Sequence, residues 1–142
     1  MRIFKEVYDY ILSNVSNVPP EMGGILGERE NIICDVQLDA GMNNNKQCSY
    51  EPNVIFLNKV ISKWEKDNIQ FCGIFHTHFH GVASLSNGDI KYIEEIMDAM
   101  PDEIKFLYFP VVLPESRKMV IYIAFNSNKK VIIETDNIVI KF

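Results

Sequence analysis

Residues 74–89 read IFHTHFHGVASLSNGD and hold all three histidines of the chain. The start of this stretch predicts the end of a buried strand, the middle predicts a loop, and the end predicts the first turn of a helix. His76 and His78 are two residues apart, so on a strand their side chains project from the same face. Ser86 and Asp89 fall at the predicted helix start, where the chain has turned back. We therefore expect two imidazoles and one carboxylate to converge on one point.

Three nitrogen and oxygen ligands of this kind, with a fourth position left to water, make a catalytic zinc site. Each signal is weak alone, because H-x-H occurs on strands by chance. Ser86 and Asp89 also fit a capping box, which needs no metal. The combination favours metal binding, since the histidines lie within five residues and a carboxylate follows at a helix start.

Hydrolysis at a zinc site also needs a group that takes a proton from water and delivers it to the leaving amine. Glu21 is a candidate, because it stands between Pro20 and the apolar run MGGILG at 22–27, at the edge of a predicted strand. The alternative is a charge at the strand entry that points to water. Ser86 could donate its hydroxyl to an oxyanion if it points at the metal and not at its own helix.

The composition predicts a globular protein of one domain, residues 1–142. The net charge of −5 leaves no excess of Lys and Arg for a phosphate backbone, so we expect no nucleic-acid partner. The N-terminal stretch is interrupted by charges and no apolar run reaches spanning length, so we expect no membrane and a cytoplasmic location. The cysteines are expected to be reduced thiols, with Cys72 in the core and Cys48 accessible. Cys34 completes the odd set of three.

The apolar pattern predicts helices and strands in a mixed order. Helical spacing covers residues 3–15, 54–66 and 86–100. Strand patterns cover 22–27, 32–38, 69–75, 105–113, 118–125 and 131–140, the last with a break at 136–137. A loop is predicted at 39–49, with the asparagines at 43–45 as turn formers. This order predicts an α/β domain of the mixed α+β kind, a single sheet flanked by about three helices.

These residues resemble the JAMM motif of the JAB/MPN metalloprotease family, a glutamate followed by H-x-H-x7-S-x-x-D. Glu21 heads a glycine-rich strand, His76 and His78 match the histidine pair, and seven residues separate His78 from Ser86. Two residues separate Ser86 from Asp89, and the order of elements is similar over essentially the whole chain. The resemblance implies the MPN fold, which is related to that of cytidine deaminases.

The resemblance also implies roles for the matched residues. His76, His78 and Asp89 would bind one Zn²⁺ per chain, Glu21 would be the general acid/base, and Ser86 would stabilise the oxyanion. The implied reaction is hydrolysis of a peptide or isopeptide bond after the C-terminal glycine of a ubiquitin-like protein. The chain departs from the pattern at Phe79, where many members have proline, and at the extra His80.

The chain lacks the length for the two insertions that clamp ubiquitin in eukaryotic deubiquitinases, since the connection at 101–104 has only a few residues. It is similar to the compact prokaryotic JAB branch, whose partners are ubiquitin-like or sulfur-carrier proteins. An activating-enzyme homologue is a further expected partner. The sequence does not decide the substrate, the kind of bond or the oligomeric state.

Three other readings compete with this one. A non-catalytic MPN scaffold would lack a ligand or the glutamate, and none is missing. A nucleobase deaminase would use H-x-E with a later P-C-x-x-C, and the chain has no C-x-x-C. A relative of the same fold that acts near nucleic acid is disfavoured by the acidic balance.

Overall fold

In the computed structural model, which describes residues 1–42 and 50–142, nine strands form one mixed sheet and three helices pack against it. The strands are β1 (Arg2–Phe4), β2 (Gly23–Arg29), β3 (Ile32–Asp39), β4 (Gln70–Thr77), β5 (Phe106–Tyr108), β6 (Val111–Leu113), β7 (Lys118–Ser127), β8 (Lys130–Asp136) and β9 (Val139–Lys141). The helices are α1 (Lys5–Asn14), α2 (Val54–Lys66) and α3 (Asn87–Ala99). The single sheet with three helices is as predicted.

Strand β4 lies at the centre of the sheet, as its nearly continuous apolar sequence predicts. The strand order is β5-β7-β6-β4-β2-β3-β1-β9, and β8 pairs with β7. β4 runs antiparallel to β2 and parallel to β5 and β6. In this register Gly23 at the start of β2 lies opposite His76 near the end of β4. The start of β2 therefore meets the histidine segment directly.

The two faces of the sheet are covered by different helices, because neighbouring strand residues point to opposite sides. Leu26 and Phe75 face α1. Ile25 and Ile74 face α2 and α3. Each side has its own buried apolar core, so the molecule has three layers with the sheet in the middle.

Two predicted elements differ from the observed ones. The predicted helix at 3–15 begins only at Lys5, because Ile3 pairs with Ile33 and Ile140 in short parallel ladders. The predicted strand at 105–113 is two strands, β5 and β6, with Pro110 between them. Proline has no N–H to donate to a ladder, which explains the break. The break expected at 136–137 is confirmed, since β8 ends at Asp136 and β9 pairs with β1.

The remaining expectations concern the cysteines, the 39–49 loop and the membrane. Cys72 is buried as predicted, and Cys34 is half-buried. The expectations for the asparagines at 43–45 and for Cys48 fall outside the described residues. Among the described residues, none of the helices has the length and apolar character that crossing a membrane requires.

Candidate metal centre

Two imidazoles meet at the end of β4. His76 is within the strand and His78 follows it directly, where its N–H donates to the Val112 carbonyl at 2.9 Å and continues the pairing with β6. The two side chains share a face of the sheet, and their Nε2 atoms are 2.8 Å apart. The rings are close to perpendicular, at 72°. The predicted convergence of the two histidines is thus observed.

Asp89 reaches the same point from the start of α3. Its Oδ2 is 3.1 Å from His78 Nε2, and its Oδ1 is 3.3 Å from His76 Nε2. Burial favours the neutral carboxyl, but the hydrogen bonds from His76 and His78 outweigh it and hold the pKa of Asp89 well below its usual range. The contact with Asp89 in turn raises the pKa of His78, against the opposing effect of burial. A carboxylate therefore stands ionised beside both rings.

The donor atoms of His76 and His78 lie close enough to Glu21 to hold a metal ion together, and the Asp89 carboxylate is beside both rings. With bonds of about 2.0–2.1 Å in a tetrahedral site, neighbouring ligand atoms are roughly 3.3 Å apart. The two imidazole nitrogens are 2.8 Å apart, and each contacts a different oxygen of Asp89, His78 with Oδ2 at 3.1 Å and His76 with Oδ1 at 3.3 Å, so all three groups lie within the range of a shared ion. His78 Nδ1 lies 2.9 Å from the Val82 carbonyl, which only accepts, so Nδ1 carries the proton of the neutral ring. Nε2, which contacts Asp89 in this structure, would offer its lone pair to a metal in that neutral form of the ring.

Glu21 is the fourth member of the group. It lies two residues before the start of β2. One carboxylate oxygen of Glu21 and the ring nitrogens of His76 and His78 all lie within 4.8 Å of one another. Burial raises the pKa of the Glu21 carboxyl, while the two histidines and the Tyr50 backbone N–H act in the opposite direction. The half-buried Glu21 carboxylate therefore lies beside the two imidazoles, at the wall of the site.

Ser86 is the N-cap of α3. Its Oγ accepts from the Asp89 N–H at 3.0 Å, and the Ser86 N–H donates to Asp89 Oδ2 at 2.9 Å, which makes the capping box. The capping box holds Asp89 in place for the histidines. The Ser86 hydroxyl is used here as an acceptor, so its own hydrogen remains available to donate.

The loop after β4 closes one side of a cavity of about 390 Å³ that contains Glu21, His78 and Asp89. Phe79 and Val82 both line this cavity, Phe79 as a buried residue and Val82 as a residue that is 51% exposed. A larger groove of about 700 Å³ runs between α2 and α3, but no histidine lines it. Glu21, His78 and Asp89 therefore lie at the smaller cavity and not at the larger groove.

The two residues that depart from the JAMM pattern, Phe79 and His80, differ in burial. Phe79 is buried and lines the cavity beside His78. His80 is exposed with a φ of 60°, and its N–H donates to Glu115 Oε1 at 2.9 Å. His80 is therefore a surface residue of the loop at the rim of the cavity.

Asp39 is a buried carboxylate close to the site that the sequence did not predict. Asp39, at the end of β3, is 6% exposed and accepts from the Tyr50 hydroxyl at 2.8 Å. It also accepts from the Asn53 N–H and the Gly41 N–H, both at 2.9 Å. These bonds hold the Tyr50 ring against Gly23, which is two residues after Glu21. The signal in the sequence was slight, because an aspartate at a strand end also fits a solvated turn.

Gly23 makes room for this arrangement, and we expect Gly23→Ala to destabilise the fold by about 1–3 kcal/mol. A Cβ at this position would collide with the Phe75 carbonyl oxygen and lie 2.6 Å from the Tyr50 ring. The start of β2 would have to move away from β4 or displace Tyr50. Urea unfolding in the presence of a chelator measures the effect without a contribution from metal.

Gly88→Ala is the matched control for this substitution. A Cβ on Gly88 would meet only Ser86 Oγ at 3.7 Å, in the first turn of α3. Alanine is favoured over glycine in helices by about 1 kcal/mol, so this variant should be at least as stable as the wild type. Equal unfolding midpoints for the two variants would contradict the close approach at Gly23.

The sequence matches no protein-family model and no curated protein. Among solved structures, the fold is similar to that of protein DSY2949 from Desulfitobacterium hafniense, with a TM-score of 0.72 and 16% identity over 99% of this chain and 92% of that chain. It is also similar to AF2198, a JAB1/MPN domain protein from Archaeoglobus fulgidus, with a TM-score of 0.56 and 14% identity over 99% and 98% of the two chains. These likenesses show the fold, and the predicted mixed α+β architecture of the MPN kind is confirmed.

Proposed function

We propose that the chain is a zinc-dependent peptidase or isopeptidase that hydrolyses the bond after the C-terminal glycine of a ubiquitin-like or sulfur-carrier protein. The observation that carries the proposal is the convergence of His76, His78 and Asp89 on one point, with the Glu21 carboxylate beside them. Two imidazoles and one carboxylate are the ligand set of zinc peptidases that keep an open position.

In this proposal His76, His78 and Asp89 bind one Zn²⁺ per chain. A bound zinc ion would lower the pKa of a water molecule on it to about 7 and would polarise the carbonyl of the scissile bond. Glu21 takes the proton of the attacking water on its carboxylate and later delivers it to the leaving nitrogen. The position of Glu21 supports this role, because its carboxylate oxygen lies within 4.8 Å of both ring nitrogens.

Ser86 is proposed to donate its hydroxyl hydrogen to the oxyanion of the tetrahedral intermediate. Its oxygen accepts from the Asp89 N–H, which leaves the hydrogen free and holds the side chain at the site. A preorganised donor of this kind contributes about 10²–10³-fold to the rate in other hydrolases.

The proposed substrate class comes from the resemblance to the JAB/MPN family, and the surroundings of the site leave room for it. The cavity at Glu21 and Asp89 is bounded by the loop after β4, and Val82 offers an apolar contact on its wall. A flexible tail that ends in glycine presents a bond with little side-chain bulk to such a cavity. We further propose that the partner proteins include an activating-enzyme homologue and that the chain works in the cytoplasm.

One observation favours a second candidate, a binding module without catalysis. The Asp89 carboxylate already accepts from the Ser86 N–H and contacts both imidazoles. Such a network can satisfy buried polar groups without any metal. Zinc content decides between the two candidates, since the binding module needs none.

A panel of fusions that carry a Gly-Gly tail tests the proposal directly. Linear peptide fusions and lysine-linked isopeptide conjugates are incubated with the full chain, with a chelator, and with the chelated protein after zinc is restored. We expect cleavage after the second glycine that the chelator abolishes and zinc restores. Absence of zinc in the purified protein, together with no cleavage after zinc is added, would refute the proposal.

A further inference from the structure

Thr77 stands between the two histidines but faces the other side of the sheet. Strand alternation puts His76 and His78 on the α2 and α3 side, so Thr77 points toward the α1 side, where it is fully buried. A buried hydroxyl needs a partner, and the partner here is the backbone of Met22, the residue that follows Glu21. Thr77 therefore links the histidine strand to the chain segment that carries the glutamate.

Three hydrogen bonds join Thr77 to Met22. The Met22 N–H donates to Thr77 Oγ1 at 3.0 Å, and the Thr77 hydroxyl donates to the Met22 carbonyl at 3.3 Å. The Thr77 N–H also donates to the Met22 carbonyl, at 2.8 Å. Both backbone polar groups of Met22 are thus held by a single residue, 55 positions away in the chain.

The hydrogen bond from the Met22 N–H to Thr77 Oγ1 replaces a regular ladder bond at the start of β2. In a regular antiparallel ladder, the Met22 N–H would donate to the carbonyl of the residue opposite, which is Thr77. Here the hydroxyl oxygen takes that place, and β2 begins only at Gly23. The N–H belongs to the Glu21–Met22 peptide unit, so the hydroxyl fixes the plane of the peptide from which the Glu21 side chain extends.

We propose that Thr77 is a positioning residue, which sets the Glu21 carboxylate against the imidazoles by holding the Met22 amide. This inference rests on the function proposed for Glu21. The β-branched side chain suits the task, because its χ1 is restricted and the hydroxyl direction is fixed by packing. A displacement of 1 Å at a reacting group costs about 10²-fold in rate, so a small shift of this peptide matters.

Two substitutions separate positioning from packing. Thr77→Val keeps the volume and the branching but removes the hydroxyl, and Thr77→Ser keeps the hydroxyl but removes the methyl group. We expect Thr77→Val to lower kcat about 10²-fold, with KM and zinc affinity within about threefold of the wild type. Thr77→Ser should recover kcat to within about fivefold. A residue important only for packing would give the opposite order, since serine leaves the larger void.

Amide exchange gives a readout that does not depend on turnover. The Met22 amide should exchange at least about tenfold faster in Thr77→Val than in the wild type or in Thr77→Ser, while the Ile25 amide inside β2 is unchanged. A crystal structure of Thr77→Val should show the Glu21 carboxylate displaced by about 1 Å. If Thr77→Val does not fold, Thr77→Cys takes its place, because a thiol is a weak acceptor.

The outcomes distinguish this inference from the proposed function. An inactive wild type would refute the proposed function, and the Met22 exchange rate and the Glu21 position would still decide the role of Thr77. An unchanged Met22 amide, an undisplaced Glu21 or a kcat within threefold of the wild type in Thr77→Val would overturn the inference. Equal losses in the valine and serine variants would also overturn it.

Discussion

Replacement of Glu21 by glutamine is expected to lower kcat/KM for a Gly-Gly fusion by about 10²–10⁴-fold and to leave zinc bound. The amide has nearly the same shape as the carboxylate but cannot take a proton from water, and general acid–base groups contribute rate factors of this size. His76, His78 and Asp89 remain to hold the metal. Activity on the fusion and zinc content by elemental analysis are measured on the same preparation.

Glu28→Gln provides the control for this substitution. Glu28 is another half-buried glutamate whose pKa is raised by burial, but it lies near the end of β2, whereas Glu21 precedes the start of that strand. We expect activity within about twofold of the wild type, because Glu28 is far along β2 from the histidines and glutamine keeps its size. The informative contradiction would be a Glu21→Gln protein without zinc. That result would make Glu21 a metal ligand, which the 4.8 Å grouping of its oxygen with the two ring nitrogens also permits.

The convergence of the ligands could be predicted because each part of it is local. The period of two on a strand puts His76 and His78 on one face, whatever the rest of the fold does. The Ser86 to Asp89 spacing likewise sets a capping box from four consecutive residues. Only the meeting of the two elements depended on tertiary structure, and there the family resemblance strengthened an expectation that the strand, loop and helix pattern had already suggested.

The contacts that hold Glu21 could not be predicted, because they join residues that are distant in the chain. Thr77 bonds to Met22 across 55 positions, and the Tyr50 hydroxyl bonds to Asp39 across 11. No periodicity links such pairs. Thr77 matches the serine or threonine that the H-[ST]-H pattern has between its two histidines, but a threonine in an apolar strand also fits ordinary β propensity, so the match predicted no contact with Met22.

The element boundaries failed where pairing between distant strands decided the structure. Ile3 fits the apolar face of the following helix, yet it lies in β1 because β3 and β9 offer it parallel partners. Those partners lie about 30 and 137 positions along the chain, outside any local window. Helical spacing alone therefore extended α1 by two residues into a strand.

Zinc is expected to bind in a ratio of one per chain and to raise the melting temperature by roughly 10 °C. Free zinc at 1,000 times the dissociation constant stabilises a folded protein by about 4.1 kcal/mol. In a domain of this size each kcal/mol shifts the melting temperature by about 2–4 °C. The comparison is between the chelated protein and the same protein after zinc is restored, followed by thermal unfolding and by titration calorimetry.

His78→Ala should remove this zinc-dependent stabilisation, because it takes away one of three protein ligands and the partner of Asp89 Oδ2. The zinc affinity should fall by more than the 10–100-fold that is typical when a residue hydrogen-bonded to a metal ligand is replaced. His80→Asn is the matched control. His80 lies two residues further on, is exposed, and has a φ of 60° that asparagine accepts. Since the shift is measured within each variant, any loss of stability in the metal-free protein cancels. If zinc raises the melting temperature of His78→Ala as much as that of His80→Asn, the ion binds elsewhere. The proposed zinc site at the end of β4 would then be wrong.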